Sequence, residues 1–439
     1  MYSWRALAIC PASPPIALAI PHRARHGEGV FRRPFSSRAL FAGAATRESR
    51  VLARLDASTD ATAFAAGAIR LSELDDIELL TCTTQSAAVV PAALAGARIS
   101  GATPAAFARA LTAGYVAFFR RALPIGGVSA LGQGIWPTLL AAPIGAAAAA
   151  ATACQLSAGG VATALRLALQ HEGGRAGATI PPLPSRWWLF GGAVLAGVDA
   201  ARASAAGLTA DPQLDALLGD IAERGRFDVP VDASDLGRVS CKTVPAARQG
   251  ANALVAFCEL LREHAIDPQQ IEAVTVGVPS GCVRVIAQPF DPDNRLLRIA
   301  SAGFSLAAAA CDEALLRSVE RDPPYAPDVL ALAARVRVAA EPALDASFPA
   351  AWPARVTIVL RDGRSFERLQ PTIPGDPEQP FGYDDLVRKY PGVPADALTD
   401  AAHSTTDAPA LARTLERVLA MREEAAYAPP SLRTGYTQS

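Results

Sequence analysis

The chain has 439 residues, 51% of them hydrophobic, which is enough for two or three domains with sizeable cores. Its formal net charge of −1 gives no field that would draw it to nucleic acid or to an anionic membrane surface. The 7 cysteines are scattered without a CxxC pair and there are 5 histidines, which argues against a disulfide framework or a zinc site and points to reduced thiols in a cytoplasmic protein.

Residues 1–50 include "PHRARHGEGVFRRPFSSR", rich in arginine and broken by prolines. That composition predicts a basic tail, disordered or partly ordered, or a start codon placed too early. A targeting leader is the alternative, but its apolar part, "ALAICPASPPIALAI", is interrupted by prolines. From 51 to 238 helix follows helix. "TPAAFARALTAGYVAFFRRAL" opens on Thr103 as an N-cap, with proline at the first helical position and apolar residues at helical period. An alanine-rich run at 139–154, "GGVATALRLALQ" and "FGGAVLAGVDAARASAAG" continue the series with small faces that let helix axes approach closely. The alanine run carries Pro143 and Gly145 and falls short of the about twenty strongly apolar residues of a membrane span, so it reads as a buried helix.

From 239 to 400 the period changes. "IEAVTVGV" (271–278) alternates as a strand, and "ARVRVAAEPAL" and "ARVTIVLRDGRSFERLQ" add more, the last with Asp362-Gly363 as a hairpin turn. Helices are expected at 249–265 and 301–318. Residues 401–439 contain "DAPALARTLERVLAM", a helix expected to return to the first domain. The fold class is therefore mainly α, an all-helical domain plus a smaller α+β lid domain.

Lysine occurs only at Lys242 and Lys389, among 41 basic residues. In so arginine-biased a chain, a retained lysine hints that an ammonium is needed.

The pieces "SELDDI", "SAAVVPAALA", "GIWPTLLAAPIGAAAAAA", "RWWLFGGAVLAGVDAA", "CKTVPAARQGANALVAF", "SAGFSLAAAACD", "PARVTIVLRDGRSFERLQPTIPGDPEQP" and "LVRKYPG" stand in an order that resembles the MmgE/PrpD family, from about residue 60 to 395. That family includes 2-methylcitrate dehydratase, cis-aconitate decarboxylase and iminodisuccinate epimerase. The resemblance implies a helical domain, an α+β lid and a homodimer. It also implies a site between the domains that takes a carboxylate-bearing small molecule with neither cofactor nor metal. No nucleic acid or membrane partner is expected.

The departures fall on the family's proton carriers. Its histidines fall on Trp136, Thr84 and, for the decarboxylase type, Ala247; its tyrosine falls on Ala308 and a threonine on Ile77. None of these groups shuttles protons near neutrality. Lys242 stands at the family's lid lysine and Arg186 at its other lysine, so positive charge for a carboxylate is kept. Trp136, Trp187 and Trp188 fall in segments that the resemblance places at the cleft, which suggests a bigger or flatter ligand than a small tricarboxylate.

The catalytic candidates are Lys242, His171 and Glu73, and the substrate-binding candidates Arg186, Trp136, Thr84 and Asp76. Each has a plainer alternative. Lys242 would be a surface lysine, Arg186 a structural salt-bridge partner, and Trp136 a pocket filler or wall. Glu73, Asp75 and Asp76 would cap and solubilise a helix. His171, at a helix end, is either a dipole-favoured cap or a relocated general base. Cys82 and Cys241 read as small buried hydrophobes, with a Lys242-activated Cys241 nucleophile as the sharper reading. Two functions compete: a lyase or isomerase with a remodelled proton relay, suited to a secondary-metabolism substrate, and a catalytically silent binding or scaffold homologue. A slip of the match at Trp136 is a third explanation for the missing histidine.

Overall fold

The computed structural model describes residues 39–56, 60–175, 177, 185–214, 238–381, 400, 403–404 and 407–427. Residues 1–38 and the "LVRKYPG" segment with Lys389 lie outside the described residues. The expected tail is helical from 39 onward. Helix 39–44 and α1 (Arg47–Leu55) bury Ala39, Leu40, Leu52 and Ala53 in the helical core.

That core is built by α2 (Thr62–Leu71), α3 (Ser86–Ser100), α4 (Pro104–Ala122), α5 (Pro137–Ala153), α6 (Ala158–Leu169) and α7 (Arg186–Ala205). α4 starts as its sequence dictates, with the Thr103 hydroxyl accepting the Ala106 amide at 3.3 Å and proline in the first turn. α5 is the axle, packed against α3, α4, α6 and α7. Its apolar circumference suits a helix buried on every side. Small residues bring the axes together: a Cβ on Gly197 of α7 would stand 2.4 Å from the Pro143 carbonyl oxygen of α5.

Between α2 and α3 lies a strand of three residues, β1 (Asp76–Glu78). It pairs antiparallel with β2 (Val239–Cys241), Asp76 opposite Cys241 and Glu78 opposite Val239. Three residues are too few to display a period of two, so the helical reading of this region passed over β1. The pairing ties the helical core to the segment that opens the second unit.

The second unit contains α8 (Ala251–Glu263), β3 (Ile271–Val278), α9 (Ser280–Ile286), α10 (Arg295–Ala300), α11 (Ala302–Cys311), α12 (Pro327–Ala333), β4 (Val336–Ala340), β5 (Ala354–Leu360) and β6 (Ser365–Gln370). Its sheet has the order β4-β3-β5-β6, with β3 and β4 parallel and the other pairs antiparallel. Alternate residues of β5, from Ala354 to Leu360, turn into a second apolar core with Val274, Val276 and Val278. The β5–β6 turn uses Gly363 at φ +88°, and the Leu360 amide donates to the Arg364 carbonyl at 2.8 Å. The expected helix 301–318 breaks at Asp312, whose backbone is non-helical (φ −155°, ψ 86°) and which caps a new short helix by accepting the Leu315 amide at 3.0 Å.

The last described helix, α13 (Ala408–Tyr427), packs on α1. It contributes Leu411, Val418 and Met421 to the helical core, and Arg422 donates to the Asp56 carbonyl at 2.7 Å. The architecture is a mainly α-helical domain with a smaller α+β region. Among the described residues no helix is long and apolar enough to cross a membrane.

Candidate active site

α2 ends at Leu71 and the chain turns at once toward β1. Ser72 makes the turn, its hydroxyl donating to the Ile69 carbonyl at 2.6 Å and accepting the Leu74 amide at 3.0 Å. Glu73 then adopts left-handed backbone at φ +54°, a conformation that costs a non-glycine residue about 1–3 kcal/mol. The turn sets the carboxylates of Glu73 and Asp75 against Arg70, from the last turn of α2. The β1–β2 register brings Lys242, the residue after β2, to the same place.

Lys242 Nζ lies 2.8 Å from Glu73 Oε2 and 2.9 Å from Asp75 Oδ1. Arg70 closes the group, with Nη2 3.0 Å from Glu73 Oε1 and Nη1 3.3 Å from Asp75. Every member is buried; the Lys242 side chain is 4% exposed and that of Asp75 0%. Burial pushes the Glu73 carboxyl up, but the charges and hydrogen bonds of Arg70 and Lys242 outweigh it and hold the group at about 2. For Asp75 burial prevails over the same two cations, and with the Glu73 charge beside it the carboxyl titrates above its ordinary value. Two neighbouring acids are thus driven apart, a pattern associated with acid–base roles. Asp75 Oδ2, the oxygen 3.3 Å from Arg70 Nη1, is buried and accepts no hydrogen bond among the described residues.

Trp136 stands beside this cluster. It precedes Pro137 at the start of α5, its amide donates to the Gly174 carbonyl at 2.7 Å, and its indole, a donor only, does not cap the helix. Its buried indole meets Trp187 edge-on at 6.0 Å and Phe190 at 5.6 Å. The guanidinium carbons of Arg186 and Arg70 lie 5.2 and 5.6 Å from its ring centroid, within cation–π reach. Arg186 makes no ion pair among the described residues. Burial, and then the nearby Arg70 charge, lower its pKa.

The structure therefore joins Lys242, Glu73, Arg186 and Trp136, and adds Arg70, Asp75 and Trp187. Thr84 is close by: its amide and hydroxyl meet the Thr138 hydroxyl at 3.2 and 3.5 Å, linking the approach to α3 with the first turn of α5. Asp76 has another task. Its oxygens accept the Ser86 amide at 2.9 Å and the Tyr115 hydroxyl at 2.6 Å, holding α3 and α4 together. His171 is exposed at the end of α6, its amide closing on the Ala168 carbonyl, and it takes no part in the contacts that assemble the cluster. Glu73, Asp75 and Asp76 do not solubilise a helix, since all three are buried. Trp188 is 54% exposed and does not join the other two indoles. Burial pushes the Cys82 thiol up to about 12, against the pull of Lys242 and Arg70, so it is not primed as a nucleophile. Ile77 and Ala308 are packed in the second apolar core.

Arg70 is the member that sequence reasoning missed. Its signal was the i,i+3 spacing to Glu73, hidden in an arginine-rich background. Among the described residues no group of three or more His, Cys, Asp and Glu side chains is placed to hold a metal ion.

Residues 36–224 match the MmgE/PrpD N-terminal domain and residues 244–408 the MmgE/PrpD C-terminal domain. No curated protein gives a significant match to the chain.

Proposed function

The chain belongs to the MmgE/PrpD family, and on that premise we propose that it is a cofactor-independent lyase or isomerase acting on a carboxylate-bearing small molecule. Its site is remodelled and more aromatic, and it does not run standard dehydratase or decarboxylase chemistry. The observation that carries this reading is the placement of Lys242 between two carboxylates of opposite tendency, Glu73 held ionised at about 2 and Asp75 raised, with Asp75 Oδ2 ion-paired to Arg70 at 3.3 Å but accepting no hydrogen bond among the described residues.

Arg186 holds the acid group of the substrate. Lys242 stabilises the enolate charge that develops when the neighbouring carbon loses its proton. Asp75 Oδ2 takes that proton as general base and returns it, to the same carbon on the other face or to a leaving group. Glu73 stays ionised throughout and fixes the Lys242 ammonium and the Arg70 guanidinium. Asp75 thereby fills the role sought in His171 and does what Trp136, Thr84, Ala247 and Ala308 cannot. Thr84 and Trp136 shape the wall, which would suit a substrate from secondary metabolism. A homodimer in the cytoplasm belongs to the same proposal, supported by the family's habit.

A second reading, a silent binding or scaffold homologue, is favoured by one fact: Lys242 already has two carboxylates at 2.8 and 2.9 Å, as in a purely structural ion cluster. Hydrogen exchange in D2O separates the two. Offered a panel of carboxylic acids, the wild-type protein is expected to place deuterium next to the acid group, and Lys242→Met and Asp75→Asn to lose about a hundredfold of that rate. Turnover of cis-aconitate and 2-methylcitrate is expected to be negligible; robust turnover of either contradicts the remodelled chemistry. Ligand binding without exchange on any acid selects the silent homologue.

A further inference from the structure

We propose that the buried N–H groups gathered around the Trp187 indole form an anion subsite that takes a single carboxylate, borne on an otherwise apolar acid; this narrows, and rests on, the substrate class proposed above. Three donors there have no hydrogen-bond partner among the described residues: Trp187 Nε1, Arg70 Nε and Arg186 Nε. Trp187 is 1% exposed and Arg70 8%, so bulk water does not serve the first two. All three stand about one ring, since the guanidinium carbons of Arg70 and Arg186 lie 5.6 and 6.0 Å from the Trp187 centroid. Buried donors are rarely left unpaired, and exceptions call for an occupant. Two guanidinium groups against one indole pair also repel each other, which an anion between them would offset. α7 begins at Arg186 with no acid in its first turn and no side-chain cap, so its positive dipole end acts in the same direction.

The charge count limits the occupant. Three cations, Arg70, Lys242 and Arg186, face two carboxylates, Glu73 and Asp75, and the unmatched one is Arg186. One carboxylate completes the balance. A second would be desolvated without a cation of its own, or would have to displace Glu73 or Asp75 from Lys242. Beyond the donors the surroundings are apolar, with the Trp136 and Phe190 rings 5.6 Å apart and buried. The fitting ligand has one acid group and an apolar remainder, unlike citrate-type polyacids.

Calorimetric titration of the full chain near neutral pH tests this with 3-phenylpropionate and citrate as probes. The wild type is expected to bind 3-phenylpropionate about tenfold or more tightly than citrate. Trp187→Phe keeps an aromatic ring, though a smaller one, and removes the N–H, and should weaken 3-phenylpropionate about three- to tenfold; Arg186→Gln should weaken it at least about tenfold. Thermal melts confirm that both variants are folded. No binding of 3-phenylpropionate, equal or tighter binding of citrate, or affinity unchanged in both variants overturns the subsite. The exchange assay fails separately: single-acid binding of the expected pattern without exchange on any acid keeps the subsite and removes the catalytic reading, whereas exchange on polyacids alone does the reverse.

Discussion

Lys242 holds its ammonium among charges that have nowhere else to go. Replacing it by methionine leaves Glu73 and Asp75 buried against one guanidinium, and breaking such a buried pair costs about 3–5 kcal/mol. Urea unfolding of Lys242→Met should show a loss of that size, and a loss under about 1 kcal/mol would mean the cluster is wet, as exposed pairs are. The two acids also have opposite pH signatures. Glu73 sits at about 2 when folded against an ordinary 4.5, so its contribution to stability is complete above pH 4.5 and drains as pH falls toward 2. Asp75 is raised above its ordinary 3.8, so its ionisation costs stability at higher pH, and the cost is gone below 3.8. Urea midpoints measured from pH 5 to 2 should fall steeply for the wild type and much less for Glu73→Gln; an equal fall in both would remove Glu73 from the account. At this scale the sequence was partly legible. Lys242 stood out by rarity and Glu73 by its motif. Arg70 did not, because a guanidinium among so many others shows its role only when the turn at Ser72 and Glu73 folds it back. Asp75 and Asp76 look alike in the sequence; only the fold shows Asp76 accepting from Ser86 and Tyr115 while Asp75 meets Lys242.

The element that makes the site is the short β1–β2 pair. Its register places Lys242 against Glu73 and Asp75, and the Cys241 amide is anchored at 2.9 Å on the Gly375 carbonyl. Gly375 has φ +101°, and a Cβ there would stand 2.5 Å from the Cys241 carbonyl oxygen. Gly375→Ala is therefore expected to destabilise the fold by about 1–3 kcal/mol and to weaken acid binding together with it. Calorimetry of the variant checks both, and unchanged affinity would show that β2 does not govern where Lys242 sits. Long periodic elements were readable from the amino acids: α4 with its Thr103 cap, α5, and β3 over the residues expected. What escaped was set by contacts distant in sequence, namely a three-residue strand with its partner in the next domain and a helix broken by the cap at Asp312.

Over the whole molecule, two apolar cores meet where β1 joins β2, and the C-terminal helix returns to the first of them. Removing residues 408–439 would strip Leu411, Val418 and Met421 from the helical core and the Arg422 contact from Asp56. Burial of three such side chains contributes several kcal/mol, about 1.5–3 each, so the truncated chain should melt well below the full one or fail to fold. An unchanged melting temperature would detach that helix from the core. The two-part fold and the family were legible because ordered motifs survive over most of the chain. The proposed chemistry was not, because it depends on how buried neighbours set the opposite tendencies of two adjacent acids. Carboxyl 13C NMR titration, with Glu73 and Asp75 assigned through Glu73→Gln and Asp75→Asn, measures that directly. The account predicts Glu73 titrating near 2 and Asp75 above 3.8. Both groups titrating independently at their ordinary values would contradict it.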